Sequence, residues 1–267
     1  MRILLLVLLA ALVIPVAAWI IAVPESAVLD VMCGPLRSRG LTIETEGFAK
    51  GPLISVTAEK ATLRWTGQAG KDLPLLTATD VSARLNFPSL LRFRPRVDVE
   101  GKIGAGSLAG HVAITGTGDA EVKGGGIPIG DIPFLRSSGI DGEGRLSFDL
   151  RREGDDAEIK LTIEDARIMA SSLKGVPLPL DLFQRMRGLI VLSRGSTEIT
   201  SLALEGNGIY GRLKGAIKDA VLTGTIEASI DTSVRDNALI AAAIRRYMVT
   251  PGYYVIPVSQ QLSQFSQ

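Results

Sequence analysis

The chain has 267 residues, enough for one large β domain, and its 29 Lys and Arg nearly balance 28 Asp and Glu. That balance excludes a basic groove for nucleic acid and a surface tuned to acidic substrates. One Cys and one His exclude a disulfide framework, a zinc cluster and a Ser/His/Asp centre, so no metal, cofactor or catalytic residue is expected.

Between Arg2 and Glu25 the sequence carries no charge, and Ile3 to Val23 would extend about 31 Å as a helix. That length crosses one bilayer. Pro15 is tolerable inside such a span, and Trp19 near its far end fits an interfacial anchor. Arg2 precedes the span and the acids Glu25 and Asp30 follow it, so the amino terminus is expected in the cytoplasm and the remainder outside. The rival reading is a signal peptide, residues 1–18, cleaved near Val16-Ala17-Ala18. The apolar run continues through Trp19-Ile20-Ile21, which favours a retained anchor. The expected organisation is therefore residues 1–24 as a transmembrane helix and 25–267 as a β-rich domain beyond the membrane.

Pro24 to Met32 reads as a short helix, with acidic Glu25 in its first turn and Gly34-Pro35 as its stop. Cys33, just after it, reads as a small apolar residue. From there to about residue 230 the apolar period is two, the mark of strands with one wet and one dry face. Val56 and Ala58 give way to Ala61, Leu63 and Trp65, a change of parity that places a β-bulge near Glu59-Lys60. Val81, Ala83 and Leu85, then Val97, Val99 and Ile103, then Leu108, Val112 and Ile114 continue the alternation. His111, between Gly110 and Val112, falls on the wet face. Gly124-Gly125-Gly126 reads as a turn, without the Lys-Ser/Thr of a phosphate loop.

The next strands form a hairpin. Leu146, Phe148 and Leu150 share a face, as do Ile159, Leu161 and Ile163 after the turn "REGDD". A second pair, "IYGRLKGAIKDAVLTGTIEASID", places Ile209, Leu213 and Ile217 opposite Leu222, Ile226 and Ile230. These twelve residues are the candidate lipid-facing set. The carboxylate pairs Asp155-Asp156 and Glu164-Asp165 fall in a turn and at a strand end, where solvated charge explains them without acid-base chemistry. Helical pattern appears in one or two turns from Asp181 and from the N-cap Ser233 through Ile240, Ile244 and Met248. "YYVIPVSQQ" reads as an edge strand, since Pro257 cannot serve a central one.

The fold class is thus mainly β: a membrane helix followed by an antiparallel amphipathic sheet with short helices. Two architectures bury such a face. A second sheet or closed barrel is the common one; the other is a long curved sheet whose dry side stays open as a trough for lipid chains.

The segments "IPIGDIPFLRSSGIDGEGRLSFDL" and "LPLDLFQRMRGLIVLSRGSTEITSLALEGNGIYGRLKGAI", with the single span before them, resemble the type II secretion system protein N family, within the AsmA-like membrane-anchored proteins. The resemblance implies a non-catalytic accessory component in the inner membrane, with its β domain in the periplasm. It implies other secretion proteins as partners, and kinship with proteins that bind or transfer phospholipid.

Overall fold

The computed structural model describes residues 18–261 apart from 20, 38–39, 53, 67–71, 115–117, 138–140, 169–171, 174–175, 178–181, 194–195, 220 and 232–244. Among the described residues no helix is long and apolar enough to cross a membrane. Most of the expected 1–24 span, with Arg2, lies outside the described residues.

Helix α1 (Glu25–Arg37) leads into the sheet. It runs through Gly34-Pro35 rather than stopping there. Its packing on the first strand buries Cys33, and Arg37 in its last turn pairs with Asp30 at 2.9 Å, so tertiary contact outweighs the local breaker.

Strand β1 (Leu41–Glu46) and strand β2 (Ala49–Gly51) pair in one continuous register with β3 (Ser55–Thr66). Strands β4 (Asp72–Leu85), β5 (Arg96–Ile103), β6 (Gly106–Ala113), β7 (Ala120–Pro128), β8 (Gly142–Glu153) and β9 (Asp156–Ile168) follow in sequence order. After a separate two-stranded excursion, β10 (Ser172–Leu173) with β11 (Val176–Pro177), the sheet resumes. Its second half is β12 (Phe183–Ser193), β13 (Ser196–Gly206), β14 (Ile209–Lys218), β15 (Val221–Ile230), β17 (Tyr253–Gln261) and the short β16 (Met248–Thr250) at its end. All pairs in this 15-stranded sheet are antiparallel, and its two ends do not pair with each other. One open sheet, rather than a sandwich or closed barrel, is the architecture.

Three expectations change in detail. The extra residue expected at Glu59-Lys60 sits across the ladder in β4. Asp80 is left-handed there (φ 50°), and the β4–β5 register slips between Thr79 and Ser82. Gly124-Gly125-Gly126 is strand rather than turn, because a bulge with Gly126 at φ 65° lets β7 continue to Pro128. Phe183–Ser193 is strand rather than helix, since β9 and β13 supply ladders on both its sides. The Ser233 helix falls outside the described residues up to a 3-10 turn at Arg245–Tyr247.

Cover over the apolar face is local. After β7 a 3-10 turn (Ile129–Asp131) and helix α3 (Pro133–Ser137) lie over it, α3 reaching back to β4; helix α2 (Phe87–Leu91) lies between β4 and β5. Ile132 and Leu135 close over Ala78, Ile103 and Ile127, of which the two isoleucines are fully buried. Burial of that kind is worth about 1.5–3 kcal/mol for each such side chain. Smaller clusters join Ile129 to Ile163 and Ile168, and Leu182 to Ile209, Ile230 and Tyr254.

Candidate apolar lipid-binding face

Residues opposite each other in an antiparallel ladder point to the same side. The registers therefore show whether the dry face expected of single strands is continuous. In the first hairpin Leu146 pairs with Ile163, Phe148 with Leu161 and Leu150 with Ile159. In the second, Ile209 pairs with Ile230, Leu213 with Ile226 and Ile217 with Leu222. All twelve candidate residues thus stand on one face in six direct pairs.

The intervening strands join the two hairpins. Ile159 pairs with Ile190, Ile190 with Ile199 and Ile199 with Gly215, which faces Gly224 and then Val258. In the other direction Leu150 pairs with Val122, then Gly110, Val99, Ala83 and Val56. One apolar or glycine residue from each of the twelve strands that run in ladder order from β3 to β17 makes an unbroken row. At about 4.8 Å between strands, the row is on the order of 50 Å long, against roughly 15 Å for the hydrocarbon of one bilayer leaflet.

A parallel row runs through Leu108, Gly124, Phe148, Leu161, Gly188, Leu202, Leu213, Ile226 and Ile256. Gly124 and Gly188 are its two positions without a side chain, each beside a bulky residue. A Cβ on Gly124 would stand 2.3 Å from the Phe148 ring, and one on Gly188 would stand 2.8 Å from Leu161 Cγ. The bulky groups lie over the glycines, which levels the surface.

The two ends of the strands differ. Ile163, Ile209 and Ile230, near the covered end, are buried, whereas Leu146, Phe148, Leu150, Ile159, Leu161, Leu213, Ile217, Leu222 and Ile226 are half-buried. Leu146 and Phe148 join the core clusters that contain the cover residues Ile129 and Ile132, and no such cluster joins the other seven to a second layer among the described residues.

The opposite face is charged. Lys123 Nζ meets Glu121 Oε1 at 2.8 Å, Arg151 lies 3.3 Å from Asp149, and Lys160 lies 2.8 Å from Glu158. The hydrogen bond from Lys123, then its charge, hold the Glu121 carboxyl below its ordinary pKa, and the same partner raises Lys123. His111 belongs to this face, with Nε2 3.3 Å from Arg96 Nη1 and 4.0 Å from Glu121. Such pairs add little stability individually; they show which side is wet.

Trp19 sits at the β2 edge, its Nε1 donating to the Gly51 carbonyl at 3.2 Å. Lys50 Nζ donates to the carbonyls of Trp19 (3.2 Å) and Val23 (2.5 Å) and lies 5.9 Å from the indole centre. The end of the amino-terminal apolar stretch is therefore pinned to the first strands. Among the described residues no group of three or more His, Cys, Asp or Glu is placed to hold a metal ion.

Sequence reasoning on the two hairpins missed the residues that join them, Ile190 and Ile199, and Val122, which extends the row beyond the first hairpin. Alternation inside each strand was the available signal, but only the ladder shows that the rows align. Comparison with family models, curated proteins and solved structures finds no match.

Proposed function

We propose that this chain is a membrane-tethered envelope protein of the type II secretion protein N and AsmA-like kind, whose open sheet face holds the acyl chains of phospholipid. The continuous apolar row from Val56 to Val258, half-buried except at the buried Val56, Ala83 and Ile199, carries the reading. Water over such a surface costs about 25 cal/mol for each square ångström, and an acyl chain laid along it removes that cost without needing a polar partner. The charged face opposite keeps the sheet wet on its other side. With residues 3–23 as a single span, amino terminus in the cytoplasm, Trp19 and Lys50 fix the start of the row beside the inner membrane, and the row leads away from it. The chain works by binding, and no residue is assigned to catalysis.

A photoreactive side chain placed in cells at Ile159, on the row, is expected to capture phospholipid, and the same group at neighbouring Lys160, on the wet face, is not. Equal capture at both positions, or capture at neither, would contradict the proposal.

A second reading, docking to other secretion proteins, is favoured by the last long strand. Among the described residues only Met248 and Thr250 pair with the outer side of β17, at Tyr254 and Tyr253, and the stretch from Val255 onward presents its edge for strand addition. Cross-linking from Val255 to a secretion component in intact cells tests it; absence of any such product counts against it.

A further inference from the structure

The turn between β4 and β5 exposes apolar side chains that the fold does not use. Phe93 is 93% exposed and left-handed (φ 54°), a conformation costly for a bulky residue. Phe87 and Leu90 beside it are exposed too, as is Ile114, whose N–H donates to the Pro95 carbonyl at 3.0 Å. The loop is nonetheless firmly built. Asn86 Oδ1 caps α2 by accepting from the Ser89 N–H (3.0 Å), and Asn86 Nδ2 donates to Asp98 (2.8 Å). Buried Ser89 Oγ accepts from the Arg96 N–H (3.0 Å). A rigid loop that holds a phenyl ring in water points to an apolar medium outside the protein.

Two further observations identify that medium. Arg92 and Arg94 flank Phe93 and are both exposed, a pattern suited to rings in the acyl boundary and guanidinium groups among phosphates. The loop also lies at the corner where the amino-terminal stretch is pinned. Gly51, which accepts from Trp19, and Pro52 line one cleft with Phe87 and Pro88, and Ile21 in that stretch is 83% exposed.

We infer that residues 87–94 form a membrane-seating rim that inserts Phe93 and Leu90 into the surface of an anionic phospholipid bilayer. The inference rests on the anchored reading for its placement. It adds a second contact, which holds the mouth of the apolar row against the bilayer that supplies its chains.

The test uses the full chain with Cys33→Ala, reconstituted in vesicles, with a polarity-sensitive dye on Phe93→Cys or on Thr223→Cys of the wet face. In phosphatidylethanolamine/phosphatidylglycerol vesicles the dye at 93 is expected to shift to the blue and to be quenched by doxyl-labelled lipid, while that at 223 is not. Arg92→Gln with Arg94→Gln should lower the ratio of seated to unseated loop on the order of thirtyfold, and high salt should act in the same direction. A dye at 93 as exposed to water as that at 223, in a chain with an unchanged circular dichroism spectrum, would overturn the inference. Shielding without doxyl quenching, which would mean that protein covers the loop, would overturn it too. An exposed position 93 with phospholipid still captured at Ile159 would sink the rim alone; a seated 93 with no lipid on the row would sink the proposed function alone.

Discussion

Gly215 and Gly224 stand directly opposite each other on β14 and β15, and each lies against the other strand's backbone. A Cβ on Gly215 would come 2.4 Å from the Thr223 carbonyl oxygen, and one on Gly224 would come 2.3 Å from that of Lys214. Gly224→Ala is therefore expected to destabilise the chain by about 1–3 kcal/mol through forced separation of the strands, read as a lower urea midpoint. Gly211→Ala is the control, on the same face of the neighbouring strand β14. Its nearest neighbour would be Leu204 Cβ at 4.0 Å, and it should be neutral or slightly stabilising. Equal effects of the two substitutions would contradict the close approach.

Cys33 gives a reporter for α1. Burial pushes its thiol pKa up, an effect opposed by the charge of Arg37 and reinforced by that of Asp30. The thiolate is the reactive form, so Cys33 should resist a thiol reagent at neutral pH until α1 leaves the sheet. Labelling is expected to begin at lower urea than the loss of β circular dichroism. Immediate reaction in the native protein would show that α1 does not pack as described.

Glu121 predicts an acid-side signature. Its folded carboxyl titrates below the unfolded value, so its stabilising pairing with Lys123 is complete above about pH 4.3 and is lost as pH falls through the lower folded value. Glu121→Gln should flatten the decline of the urea midpoint on that acid side, by a small amount that salt reduces further. Superimposable pH profiles for the two proteins would remove the pair as a contributor.

The hairpins at 142–168 and 209–230 were legible because strict alternation over ten or more residues leaves only one way to keep a face dry. In β12 the run Leu189-Ile190-Val191-Leu192 does not alternate, and "DLFQRMRG" before it spaces Leu182, Phe183 and Met186 as a helix would. Gly124 to Gly126 hid a strand because the reason for glycine there is tertiary: the Phe148 ring occupies the place of a Cβ. The open architecture was equally out of reach, since half-buried Leu213 and a fully covered leucine have the same neighbours in sequence. The rim at Phe93 did leave a signal, the alternation of Arg92, Phe93 and Arg94, but an aromatic between arginines also reads as an ordinary strand.

The open, acyl-holding face is tested most directly by native mass spectrometry of residues 25–267, made without the apolar stretch. Bound phospholipid is the expected result. It should be lost in Leu213→Asp, at an unfolding cost of about 1–3 kcal/mol for a charge on a half-buried site, and retained in Thr223→Asp on the wet face. A folded domain that emerges free of lipid from cells and takes up none from vesicles would contradict the claim.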